Sequence, residues 1–167
     1  MGQVEELFKN AFAHRTGVGF KPFLYTSQVV SAGANYIFVA NGKVVYPGAT
    51  DFPVLISIFK DLNGKAHVKD VKPLGRAGAL ASYNAFLSVS EDDEAILKQA
   101  AKHLVGASFK VNYVSTQLVG SGLNYRFVGT QTIMNKDVTK IPVFVTVYVP
   151  FSGKPYITGV QKVYDLV

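Results

Sequence analysis

Residues 28–36 read QVVSAGANY, and residues 117–125 read QLVGSGLNY. Each stretch sets Gln before two apolar residues, then small residues ending in Gly, then one more residue and Asn-Tyr. Without a gap, the same spacing extends in both directions. Phe20-Lys21 meets Phe109-Lys110, Phe38-Val39 meets Phe127-Val128, Pro53-Val54 meets Pro142-Val143, and Gly64-Lys65 meets Gly153-Lys154. Upstream, Glu5, Lys9, Ala11 and His14 meet Glu94, Lys98, Ala100 and His103. A match of this length implies a duplicated unit. The sequence therefore divides into a first copy at 1–74, a joining stretch GRAGALASYNAFLSVS at 75–90, and a second copy at 91–167.

Each copy reads as one helix followed by four strands. Val4, Leu7, Phe8, Ala11 and Phe12 recur at i, i+3, i+4, i+7 and i+8, which makes one apolar helix face. In the second copy Ser90 is placed to cap a helix whose first turn is Glu91-Asp92-Asp93-Glu94. Ala95, Leu97, Ala101 and Leu104 supply its apolar residues, widened by Ile96 and Ala100. Gly17 and Gly106 stand as C-terminal stops. Runs rich in aromatic and β-branched residues follow: FKPFLYTSQVV and FKVNYVSTQLV, NYIFVANGKVVY and NYRFVGTQTIM, FPVLISIFK and IPVFVTVYV, AHVKDVKPL and PYITGVQKV. Short turns between successive runs imply antiparallel hairpins. The expected fold is α+β, two repeats, each with one helix packed on a four-stranded antiparallel sheet. The joining stretch is too apolar for a free tether and is expected to dock.

Composition narrows the function classes. The chain has 167 residues, 49% of them apolar, which is ample for a core and argues against disorder. No apolar run reaches the roughly 20 residues of a membrane helix. There is no cysteine, so disulfides, thiolate metal sites and cysteine nucleophiles are excluded. The net charge of +6 comes from lysines spread over both halves without a block, which argues against nucleic acid as a partner. The compartment stays open, because Met1-Gly2 suits both a native start and the scar of a removed leader.

The order helix, then four strands, with Gln-x-Val and Gly-x-Asn-Tyr at the first hairpin, resembles the cystatin superfamily, and within it the disulfide-free stefins. YTSQVVSAGANYIFV is similar to the stefin strand–hairpin–strand, ISIFKDL to its fourth strand, and Thr158-Gly159-Val160-Gln161 to its final strand. The resemblance implies noncovalent inhibition of papain-like cysteine proteases, with no catalysis by the chain and no cofactor or metal. In that family an N-terminal segment and two hairpins form a wedge that fills the protease cleft. Carried to this sequence, the first hairpin is Gln28, Val29, Val30, Ser31, Ala32 and Gly33, with Gln117, Leu118, Val119, Gly120, Ser121 and Gly122 in the second copy. The second hairpin is Leu62, Asn63 and Gly64, with Phe151, Ser152 and Gly153. A stefin-like protein would be cytoplasmic; a removed leader would make the protein secreted or periplasmic.

The sequence also departs from the family. Gln-x-Val-x-Gly carries one extra residue before the glycine in both copies, and no Trp stands in the second hairpin. Gly2 leaves almost no segment ahead of the first helix. The alternative is a protein-binding or assembly module without protease inhibition, since fold does not fix function. Exposed sheet edges offer a route to self-association.

Other constellations read better as structure than as sites. His14 and His103 sit near helix ends, where a positive charge is favourable, and His67 stands alone on a strand. The acids at 91–94 lack the spaced ligands and turn glycine of a calcium loop. Tyr36, Phe38, Tyr125 and Phe127 recur as sheet and core residues rather than as a base-stacking platform.

Overall fold

The computed structural model describes residues 2–13, 18–44, 48–76, 81–134 and 137–166. Two compact units are present, Met1–Ala79 (with Val167) and Leu80–Leu166. Among the described residues, the first unit holds helix α1 (Gly2–Ala11) and strands β1 (Val18–Val30), β2 (Gly33–Val44), β3 (Phe52–Asp61) and β4 (Ala66–Pro73), in sheet order β1-β2-β3-β4. The second holds β5 (Leu87–Ser88), α2 (Glu91–Ala100), β6 (Ala107–Val119), β7 (Gly122–Ile133), β8 (Thr139–Pro150), β9 (Tyr156–Lys162) and a 3-10 turn at Val163–Leu166. Its sheet order is β5-β6-β7-β8-β9, and all pairings in both sheets are antiparallel.

This corrects the expected α+β pair of units with four strands each. The chain is mostly β, with 59% strand against 15% helix, and its sheets have four and five strands. The extra strand comes from the joining stretch. Main-chain N–H groups of Asn84 and Val89 donate to the carbonyls of Thr116 and Asn112 at 2.8 and 3.0 Å, and Leu87 pairs with Val114. Phe86 is buried and stacks on Phe144 at 6.2 Å between ring centres. An apolar extended segment beside an open strand satisfies its own main-chain groups by pairing there.

In α1 the apolar face read from the sequence is the one that packs. Leu7 and Phe8 are buried against Phe38, Ala40, Val54, Ile56 and Ile58, with Val4, Ala11 and Phe12 alongside. In α2 the Ser90 hydroxyl accepts from the Asp93 N–H at 3.1 Å, and the Asp93 carboxylate accepts from the Ser90 N–H at 3.0 Å. This reciprocal box satisfies two donors that the first turn leaves open. Leu97 is the buried residue of α2, packed on Val111, Val114, Phe127, Val143, Val145 and Val147. The helix closes at Ala100, so Leu104, expected on the apolar face, lies beyond it and is exposed. Gly106 follows with φ 81°, a conformation that suits glycine. His14, Gly17 and residues 77–80 of the joining stretch lie outside the described residues.

Both sheets carry extra residues at corresponding places. The β1–β2 register skips Phe23 and the β6–β7 register skips Asn112; β4 skips Lys69 against β3, and β9 skips Thr158 against β8. Each such bulge shifts the pleat by one residue. The bulge therefore sets which side chains of β1 and β6 face the helix.

Candidate protein-binding site at the hairpin tips

Val30 pairs with Gly33 and Val119 with Gly122, so the first hairpin of each sheet turns on two residues, Ser31-Ala32 and Gly120-Ser121. The next ladder joins Gly33 to Asp61 and Gly122 to Pro150. Those residues end β3 and β8, and the second hairpins begin directly after them. Register alone thus brings the first and second hairpins of a sheet to the same end. Apolar side chains stand out there: Val29 is 85% and Leu62 78% exposed in the first unit, Leu118 60% and Phe151 68% in the second.

Gly33 and Gly122 are required by strand approach. A Cβ on Gly33 would lie 2.0 Å from the Lys60 carbonyl oxygen, and one on Gly122 would lie 2.2 Å from that of Val149. Gly33 also has φ 151°, which L side chains rarely adopt. A Cβ on Gly120, at the turn itself, would meet nothing within 4 Å. The two recurrent glycines therefore hold β2 to β3 and β7 to β8.

The second hairpins are stabilised differently. In the first unit the Asp61 carboxylate accepts from the N–H groups of Asn63 and Lys65, both at 2.9 Å, and lies 3.6 Å from His67 Nε2. The Lys65 N–H leads in holding this carboxyl below the usual carboxylate range, helped by the Asn63 N–H and His67. Gly64 follows with φ 85°. In the second unit Pro150 replaces the acid, and the two tips are tied to each other instead. The Phe151 N–H donates to the Ser121 carbonyl at 3.0 Å, and the Ser121 hydroxyl bonds the Tyr148 hydroxyl. Tyr148 packs edge-on against Tyr156, itself half exposed. Ser152 and Gly153 complete the turn.

The two glutamines have different surroundings. Gln28 is exposed in β1 beside Asn35, whose Oδ1 accepts from Lys69 Nζ at 3.5 Å. Gln117 donates from Nε2 to the Ala81 carbonyl at 2.8 Å and accepts from Asn124 Nδ2 at 2.9 Å. On the same face Arg126 stands 4.0 Å over the Tyr83 ring. The sequence did not single out Ala81, Tyr83 or Arg126, nor the pairing of His67 with Asp61. An Asp three residues before Gly and six before His, at a turn, was the available signal for that pair.

Among the described residues no cluster of three His, Asp or Glu is placed to hold a metal ion, and no helix is long and apolar enough to cross a membrane. No protein-family model and no curated protein matches this chain.

Proposed function

We propose that the chain acts by inserting paired hairpin tips into a cleft of another protein, and that papain-like cysteine proteases are the target class, inhibited without covalent chemistry. The observation that carries this reading is the bond between Phe151 N–H and Ser121 carbonyl, which holds the second unit's two tips together beside exposed Leu118 and Phe151. Tips already fixed lose little conformational entropy on binding, and exposed apolar residues at the end of a rigid sheet suit a narrow cleft. The choice of protease class comes from the stefin-like words around Gln28, Gln117 and Thr158. The matched bulges at Phe23 and Asn112 support the further proposal that the two units are copies of one ancestral unit.

One observation favours the second reading, a protein-binding module without protease inhibition. Gln117 is engaged within its own unit and is not presented to a partner.

Titration of papain with the intact chain tests the proposal, using Leu118→Glu/Phe151→Glu and Val29→Glu/Leu62→Glu as variants. All four residues are exposed, so circular dichroism should show unchanged folds. The expected result is inhibition by the intact chain, weakened about tenfold or more by the second-unit pair. Absence of inhibition would overturn the protease target and leave the binding module.

A further inference from the structure

We propose that β1 is a self-association edge, at which two copies of this chain pair their β1 strands antiparallel about a twofold axis at Ser27. The second sheet shows how such an edge is used. There β6 lies where β1 lies in the first sheet, next to the strand it shares its first hairpin with, and its outer side is taken by residues 84–89. The acceptors are the carbonyls of Thr116 and Asn112, with Val114 paired between them. In the shared spacing Thr116 corresponds to Ser27 and Val114 to Tyr25. The β1 ladder agrees. Its two-residue turn is closed by Val30 and Gly33, so main-chain groups of alternate residues point to β2, and those of Tyr25, Ser27 and Val29 point outward. Among the described residues no strand pairs with that outer side.

The two edges of the first sheet are guarded unequally. At the other edge β4 carries Lys69, Asp70, Lys72 and Pro73. These are the devices that keep an edge strand from pairing with another chain. In β1 the stretch 23–30, FLYTSQVV, has no charge and no proline, and Val29 is largely exposed. Only its far end is interrupted, by Pro22 and the bulge at Phe23.

A second copy is the fitting occupant because the strand is complementary to itself. With Ser27 opposite Ser27, Tyr25 of each copy faces Val29 of the other, an aromatic with β-branched pair that stabilises antiparallel strands. No charge opposes a like charge within the paired stretch, although the chain carries +6 overall. Three outward pairs exchange about six main-chain hydrogen bonds.

Sedimentation velocity on the full chain, from low-micromolar to near-millimolar concentration, tests this with Ser27→Pro and Ser27→Lys. Proline at an outward position removes a donor that the β1–β2 ladder does not use. Lysine sets two like charges opposite each other at the axis. The expected result is a concentration-dependent dimer for the unaltered chain and a folded monomer for both variants. Exchange of the Tyr25, Ser27 and Val29 amides should slow with concentration, whereas that of Gln28 should not. An unaltered chain that stays monomeric throughout, or a dimer that persists in a folded Ser27 variant, would overturn the proposal. Protection of these amides only on adding a foreign peptide would likewise assign the edge to another partner.

Discussion

The side-chain amide of Gln117 donates to the main-chain carbonyl of Ala81 at 2.8 Å, and its oxygen accepts from Asn124. The residue that sequence resemblance assigns to a protease contact thus fastens the segment that becomes β5. Gln28, at the corresponding place in the first unit, has no such segment beside it among the described residues. Gln117→Ala should cost about 1 kcal/mol, the net worth of an ordinary hydrogen bond, and should speed amide exchange at Asn84 and Val89. Gln28→Ala should stay within about 0.5 kcal/mol of the unaltered chain. Urea denaturation read beside hydrogen exchange separates the two.

Phe86 anchors the same segment through Phe144. Phe86→Ala should destabilise the second unit by about 3 kcal/mol, through lost burial and the cavity left behind. Thermal unfolding followed by near-ultraviolet circular dichroism would show it. A loss below about 1 kcal/mol would mean that β5 is held by its main-chain bonds alone.

The recurrent glycines differ from the turn glycine beside them. Gly33→Ala and Gly122→Ala drive a methyl group into a neighbouring strand's carbonyl and should each cost about 1–3 kcal/mol or more. Gly120→Ala meets no neighbour and should be neutral or slightly stabilising. Equal effects at Gly120 and Gly122 in chemical denaturation would refute the close-approach account.

Asp61 makes the second hairpin of the first unit sensitive to acid. Its carboxyl is held low, first by the Lys65 N–H. The ionised form is therefore favoured by the fold, and its contribution is complete above the unfolded value of about 4. That contribution is lost as pH falls through the lower folded value. The Asn63 and Lys65 amide resonances should move with this titration, and Asp61→Asn should abolish the pH dependence.

Tyr83 responds in the alkaline range. Burial raises its phenol above the ordinary value, and the Arg126 charge opposes that rise. Arg126→Gln should push the phenol higher still in a spectrophotometric titration. A raised phenol makes the folded state hold its proton more tightly. Ionisation therefore favours the unfolded chain once pH passes the unfolded value of about 10, and stability declines from there through the folded value. A fall in the Tyr83 value on Arg126→Gln would contradict the placement of the guanidinium over the ring.

Local rules made several elements readable in advance. The face of α1 follows from side chains three and four residues apart, and the α2 cap from Ser90 and Asp93, which need only their own turn. The hairpins follow from Gly and short polar turns between β-rich runs; the expected first hairpins at 28–33 and 117–122 contain the turns Ser31-Ala32 and Gly120-Ser121, while Gly33 and Gly122 open the following strands. Such features depend on neighbours in the chain, so a single sequence records them.

Pairing between distant segments decided the rest. Whether SYNAFLSV joins a sheet depends on an open strand about thirty residues away, with carbonyls at Thr116 and Asn112 ready to accept. No local pattern distinguishes an apolar segment that pairs from one that is only covered. The role of Gly33 likewise depends on Lys60, which reaches it only through the β2–β3 register. By itself the sequence determined the apolar face of α1, the Ser90 cap of α2 and the alternation of β-rich runs with short turns. The tertiary structure decided the fifth strand, the engagement of Gln117 and the meeting of hairpins at one end, because long-range register sets which main-chain groups are satisfied and which remain open.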